Sequence, residues 1–162
     1  MVDSIINYRK ATFQDVDQIC SVLMDFYNMD NAKEASSAFI SEMEKDFNYI
    51  VAEQDGVIIG LVTWLPHGLP KHGLFELDRI CLLSKSRGKG VGRYLIDELI
   101  KDADKWYKSR GENIRKLYLL THESNVDAHS FYQKVGFNHE ITLKDHYYKD
   151  QNERLYSKFF NK

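Results

Sequence analysis

The chain has 162 residues, of which 43% are hydrophobic and 28% charged; that suits a single domain over 1–162 with enough apolar side chains for a substantial core. A net charge of -2 gives no overall pull toward nucleic acid or a membrane surface, so any anion site has to be a local patch. No stretch approaches the roughly 18 apolar residues that would span a bilayer. The opening MVDSIINYRK carries Asp3 and lacks an apolar run of signal-peptide length. Cys20 and Cys81 lie far apart without metal-type spacing, so a reduced, cytoplasmic setting is expected.

In chain order, IINYRKA (5–11) has strand composition. The next stretch, TFQDVDQICSVLMDFYNM, places Val16, Ile19, Cys20, Leu23 and Phe26 at helical spacing behind Thr12 as N-cap. A second helix is predicted over AKEASSAFISEMEKDF through Ala35, Phe39, Met43 and Phe47. NYIVAEQDGVIIGLVTWL reads as a hairpin turning at Asp55-Gly56. LFELDRICLL (74–83) is another strand, and a glycine-rich loop leads from it into a long helix. Val91, Leu95, Leu99, Ala103 and Trp106 form one face of that helix, which should stop at Gly111. KLYLLT (116–121) is a strand, NVDAHSFYQKVGF (125–137) a short helix closed by Gly136, and the tail holds two more strands. The order β-α-α-β-β-β-α-β-α-β-β defines an α/β domain with a mixed sheet, in which residues 74–121 form a right-handed parallel crossover.

The loop KSRGKGVGR (85–93) concentrates the chemistry. Backbone N–H groups at a helix start have no internal partner and favour an anion. Glycines at 88, 90 and 92 let the backbone approach that anion. Lys85, Arg87, Lys89 and Arg93 add positive charge, with no acid between residues 84 and 96, a combination that suits a pyrophosphate. A P-loop is excluded because no Gly-Lys-Ser/Thr follows. The dinucleotide fingerprint fails because Arg93 stands where its third glycine belongs.

These residues resemble the GNAT superfamily of N-acetyltransferases. Its acetyl-CoA loop, Gln/Arg-x-x-Gly-x-Gly/Ala, is matched by Arg87-Gly88-Lys89-Gly90-Val91-Gly92. Its downstream block is matched by Asn125, Ala128, Phe131, Tyr132, Lys134, Gly136 and Phe137. The resemblance covers the element order of essentially the whole chain, with the first sixty residues agreeing in pattern only. It implies a mixed, mostly antiparallel twisted sheet of about seven strands with helices on both faces, splayed between strands 4 and 5. It implies acetyl-CoA as co-substrate, with Ile80, Cys81 and Leu82 pairing their backbone with the pantetheine arm. The loop residues with Arg93 would hold the phosphates, Asn125 and Lys134 would complete the cofactor site, and Tyr132 would lie near the sulfur.

Amide formation from a thioester needs a neutral amine. At pH 7 deprotonation costs a lysine about 4.6 kcal/mol and an α-amino group about 1 kcal/mol. The departing thiolate needs a proton, and Tyr132 is the expected acid. Glu76 and Asp78 share a strand face; Glu76 lies eleven residues before Arg87, where some members carry a catalytic glutamate, and it is the expected base. A water relay is the alternative. Cys81 has no accompanying histidine motif, so direct transfer is preferred over an acyl-enzyme. The six histidines are scattered without ligand spacing, and no metal is expected.

The resemblance places the acceptor among the first two helices, the loop after the third strand and the last hairpin. Phe26, Tyr27, Trp64, Asp78, Tyr147 and Tyr148 are the expected substrate residues. A small-molecule amine is favoured; a protein lysine or N-terminus, or a non-catalytic acetyl-CoA sensor, are the other readings. No nucleic-acid or membrane partner is expected, and a homodimer through the C-terminal strands is allowed by the resemblance.

Overall fold

A computed structural model of the protein describes residues 4–25, 29–45 and 47–160. Seven strands carry the fold: β1 (Ile6–Lys10), β2 (Asn48–Gln54), β3 (Val57–His67), β4 (Leu74–Leu82), β5 (Lys116–His122), β6 (Asn138–Tyr148) and β7 (Gln151–Phe159). Four helices join them: α1 (Val16–Leu23), α2 (Ala32–Met43), α3 (Val91–Lys108) and α4 (Val126–Lys134). The hydrogen-bonded strand order is β1-β2-β3-β4-β5-β7-β6. β4 and β5 run parallel, whereas β1/β2, β2/β3, β5/β7 and β6/β7 are antiparallel. The expected mixed, mostly antiparallel α/β sheet is what the chain forms.

Two compact units make up the fold: Met1–Leu65 with Arg79–Lys105, and Pro66–Asp78 with Trp106–Lys162. The first unit is built on the β2–β3 hairpin. Asp55 (φ 52°) and Gly56 (φ 77°) both take the left-handed conformation, as the two-residue turn requires. Ile19, Val22 and Leu23 of α1 and Ala35 and Phe39 of α2 are fully buried at helical spacing, and Phe39 meets Tyr49 edge-on at 5.1 Å. Each such large apolar side chain contributes roughly 1.5–3 kcal/mol on burial. Thr12 caps a short 3-10 turn that precedes α1, and α1 closes at Leu23. Asn31 caps α2 by accepting from the Glu34 N–H at 3.0 Å. Phe47 lies past the end of α2 and packs against the core from there. Within the same unit, Arg79 on β4 grips Glu42 of α2 with both guanidinium nitrogens, at 2.7 and 2.8 Å.

The second unit is built on β5 and β7, whose pairing runs from Lys116–Phe159 to His122–Glu153. Its β4–β5 register covers Leu74–Glu76 against Lys116–Tyr118. Gly73 sets that register. Its carbonyl accepts from the Arg115 and Lys116 N–H groups at 2.8 and 3.0 Å, and its φ of 55° is left-handed. Tyr107 is fully buried, donating to the Leu74 carbonyl at 2.6 Å, while Trp106 is half-buried under the Arg110 guanidinium, 3.6 Å from its ring centre. The buried stripe of α3 therefore steps from Ala103 to Tyr107, four residues on, and not to Trp106 as the sequence pattern suggested.

A Cβ at position 73 would lie 2.4 Å from the Asn113 carbonyl oxygen and 2.9 Å from the Arg115 nitrogen. Both are backbone atoms that cannot step aside. Gly73→Ala is therefore expected to destabilise the protein by about 3 kcal/mol, measured by urea denaturation against a Gly56→Ala control. Gly56 shares the positive φ but has nothing within 4 Å of its Cβ position.

Candidate active site

The glycine-rich loop leaves β4 through a 3-10 turn at Ser84–Ser86 and enters an 18-residue helix whose first turn carries no acid. Gly88 (φ 73°) and Gly90 (φ 81°) are left-handed, a conformation that a side chain would strain. Gly88 has nothing within 4 Å of its Cβ position, and Gly90 meets only the Tyr94 ring edge at 3.8 Å. Residues 87–90 and Arg93 are exposed, whereas Val91 and Gly92 are buried where the helix begins. The result is a bare, solvent-facing turn of main chain flanked by Lys89 and Arg93. Arg87 bends back, its Nε donating to the Leu82 carbonyl at 3.3 Å. That bond ties the loop to the strand whose backbone was expected to meet the pantetheine arm. Of that strand segment, Cys81 is buried in the first unit's core, and Ile80 and Leu82 are half-buried.

In the second unit, Asn125 caps α4, accepting from the Ala128 N–H at 3.2 Å. Two helical turns on, Tyr132 is 7% exposed, its ring set between Phe131, Phe137 and Tyr156 at 5.4–6.1 Å. Lys134 is exposed at the end of the helix.

Phe75 and Leu77 of β4 are buried, which turns Glu76 and Asp78 together onto the half-buried face. The Glu76 side chain is 15% exposed. His67 Nε2 lies 2.6 Å from its Oε2, and the Tyr118 hydroxyl donates to the same oxygen at 3.2 Å. The His67 and Tyr118 rings stand 5.5 Å apart. Burial, followed by the Glu76 charge, pushes the Tyr118 phenol far above its ordinary range. Tyr147 is raised as well, by partial burial and then by the charges of Glu76, Asp78 and Glu153. Three carboxylates thus act on one phenol.

Tyr147 and Tyr148 are both more than half exposed on β6. The Tyr148 ring lies 6.3 Å from that of His122, tilted by 53°, and His122 Nδ1 is hydrogen-bonded to Glu153, which is 2% exposed. Beside them a cleft of about 280 Å³ is lined by His122, Glu123, Ser124, Asp150, Gln151 and Asn152. Trp64, expected on the acceptor side, is instead a core residue of the first unit, fully buried with its indole N–H on Asp102 at 3.0 Å. Phe26 and Tyr27 lie outside the described residues. Among the described residues, no group of three or more His, Cys, Asp or Glu is arranged to hold a metal ion, and no helix is long and apolar enough to cross a membrane.

The structure superposes on a GNAT-family acetyltransferase from Desulfovibrio desulfuricans with a TM-score of 0.80, 20% identity, and coverage of 96% of this chain and 99% of that one. It also superposes on an aminoglycoside 6'-N-acetyltransferase complexed with coenzyme A, with a TM-score of 0.77, 18% identity and 96% of each chain covered. The family model for the acetyltransferase (GNAT) family matches residues 16–137. The chain belongs to that family. A spermine/spermidine N(1)-acetyltransferase of Bacillus subtilis is 33% identical over 67 residues, 41% of each chain. The chain spans about a third to two-fifths of the length of the first curated relatives it matches.

His67 and Tyr118 were not singled out by sequence reasoning as partners of Glu76. Tyr118 enters through the β4–β5 register, which sequence spacing does not fix, and His67 through the length of β3, which runs past Pro66. Tyr118 is expected to keep its proton at pH 10, where a free tyrosine is half ionised. Ring resonances of Tyr118, assigned with a Tyr118→Phe variant, should stay unshifted by NMR between pH 7 and pH 10.

Proposed function

We propose that the protein transfers an acetyl group from acetyl-CoA to a primary amine by direct attack. The bare main chain of Gly88–Gly90, at the mouth of a long helix and flanked by Lys89 and Arg93, supports a diphosphate ligand. Arg87, Val91 and Gly92 complete that cradle, with Arg87 bracing it on Leu82. Backbone groups of Ile80, Cys81 and Leu82 hold the pantetheine arm, and Asn125 and Lys134 contribute from α4.

One observation carries the acceptor reading: a mostly buried carboxylate, Glu76, sits between two hydrogen-bonding partners on the face it shares with Asp78. In the reaction the bound ammonium gives one proton to Glu76, which passes it to water; the freed lone pair attacks the thioester carbon, and the nitrogen then gives a second proton to Glu76. The C–N bond forms, the C–S bond breaks, and the thiolate takes a proton from Tyr132. Each protein group returns to its starting state by exchange with water. Asp78 and Glu153, through their charge, and Tyr147 and Tyr148, through their ring faces, favour a cationic small-molecule amine. The spermine/spermidine N(1)-acetyltransferase and the aminoglycoside enzyme among the similar proteins support that class.

The test is thiol release from acetyl-CoA with spermidine, kanamycin, free lysine and an alanyl peptide. Turnover should be highest with a small polycation; preference for the peptide would move the acceptor to a protein N-terminus, and silence throughout would overturn the proposal. Gly90→Asp places a negative charge in the cradle at a position whose Cβ would meet only the Tyr94 ring edge at 3.8 Å, with a strain of about 1 kcal/mol for the left-handed backbone. It is expected to raise the acetyl-CoA KM about a hundredfold while the melting temperature stays within a few degrees. Tyr132→Phe keeps the packed ring and removes the proton, and should lower kcat by about 10²-fold or more with little change in either KM.

A further inference from the structure

Both hydrogen bonds to Glu76 end on one atom. His67 Nε2 and the Tyr118 hydroxyl reach Oε2, at 2.6 and 3.2 Å; among the described residues no hydrogen bond given for Glu76 ends on Oε1. Against an ionised carboxylate the His67 ring must donate its Nε2–H, whichever charge state it holds. Tyr118 donates too, and its phenol is held in the protonated form. The two donors come from different strands, His67 from the end of β3 and Tyr118 from β5, and their rings stand 5.5 Å apart. A carboxylate pinned by two donors on one oxygen has its side-chain torsion fixed, and the other oxygen is aimed by that torsion.

We infer that His67 and Tyr118 are positioning residues that clamp Oε2 of Glu76 and so present Oε1 as the atom that takes the proton from the acceptor amine. This rests on the reading of Glu76 as base. It adds two residues to the working site and assigns the two carboxylate oxygens different tasks. His67 is the outer of the two partners, with a side chain 35% exposed against 15% for Glu76. The charged and titratable groups that act on this clamp are Asp78 from β4, Tyr147 from β6 and, through Tyr147, Glu153 from β7.

A role exercised only through Glu76 makes a sharp kinetic demand. His67→Ala leaves the carboxylate free to rotate, and a displacement of about 1 Å at the base costs on the order of 10²-fold. The loss should fall on kcat, with the acetyl-CoA KM unchanged. His67→Gln supplies an amide N–H at similar reach and should restore most of that rate. Tyr118→Phe should cost less than His67→Ala, because it removes the longer bond. In a Glu76→Gln background, itself down about 10²–10⁴-fold, neither substitution should cost anything further.

The measurement is kcat and KM for the wild type and the six variants with the best acceptor from the panel of spermidine, kanamycin, lysine and alanyl peptide. In parallel, ¹⁵N-histidine NMR of the free wild-type chain should show His67 protonated at Nε2 at neutral pH, with that resonance moved by Glu76→Gln. Wild-type kcat in both His67→Ala and Tyr118→Phe, equal losses in His67→Ala and His67→Gln, a further loss in the Glu76→Gln background, or an Nε2 without its proton would each overturn the clamp. Wild-type kcat in Glu76→Gln would instead remove Glu76 as base, and the clamp with it. If His67→Ala fails to fold, His67→Gln, Tyr118→Phe and the NMR arm decide the matter.

Discussion

The three-residue parallel contact of Leu74–Glu76 with Lys116–Tyr118 is the constraint on which the acceptor side depends. Gly73 holds it at one end by accepting two backbone hydrogen bonds from the start of β5, in a backbone conformation that excludes side chains. Tyr107 anchors the same corner through the Leu74 carbonyl. Two residues into the strand, the register brings Glu76 beside Tyr118. A slip of one residue would turn each of these side chains to the opposite face, leaving a half-buried carboxylate without its phenol partner. The chemistry assigned to Glu76 is therefore guarded by a glycine three positions upstream that touches no reacting atom.

The glycine-rich turn proposed for the cofactor was legible in the sequence because its conformation is written in backbone. Gly88 and Gly90 occupy left-handed positions, and the conformational need for glycine leaves a mark at fixed spacing. The helix after them announces itself by its apolar stripe and by an acid-free first turn. Asp55-Gly56, Gly111 and Gly136 were readable for the same reason, all four being left-handed in the structure. The capping asparagine of α4 was readable as a position, although its side-chain oxygen turns out to serve the helix.

The cluster around Glu76, proposed for the acceptor, was less legible because it is written in side chains that meet across strands. Glu76 and Asp78 could be put on one face by period-two alternation, and they share it. His67 and Tyr118 could not be joined to them, because register and strand length decide those meetings and neither follows from local pattern. Trp64 shows the converse. An aromatic near the expected acceptor region drew attention, but its strand is buried on both faces, with seven consecutive buried residues from Ile58 to Trp64, so alternation gave no warning that it was core. Trp106 and Tyr107 differ by a single residue on α3, and a helix of 3.6 residues per turn lets either continue the stripe. The hydroxyl of Tyr107, which finds the Leu74 carbonyl, makes its burial affordable.

Holding Glu76 in this setting has an energetic logic that points to function. Desolvating a carboxylate costs free energy unless hydrogen bonds or opposite charge compensate. Two donors compensate on one oxygen, but the neighbouring charges, Asp78 and Glu153, are of the same sign and act on the shared environment of Tyr147. An arrangement selected for stability alone would surround such a carboxylate with a permanent cation. The first unit does this for Glu42, which has the bidentate guanidinium of Arg79. Around Glu76 the charges that act on the neighbouring Tyr147 are acidic: Glu76 itself, Asp78 and Glu153. On the proposed reading, an ammonium group arriving there would meet that acidic field and then lose its proton to Glu76. The same acidic field would then serve recognition first and deprotonation second.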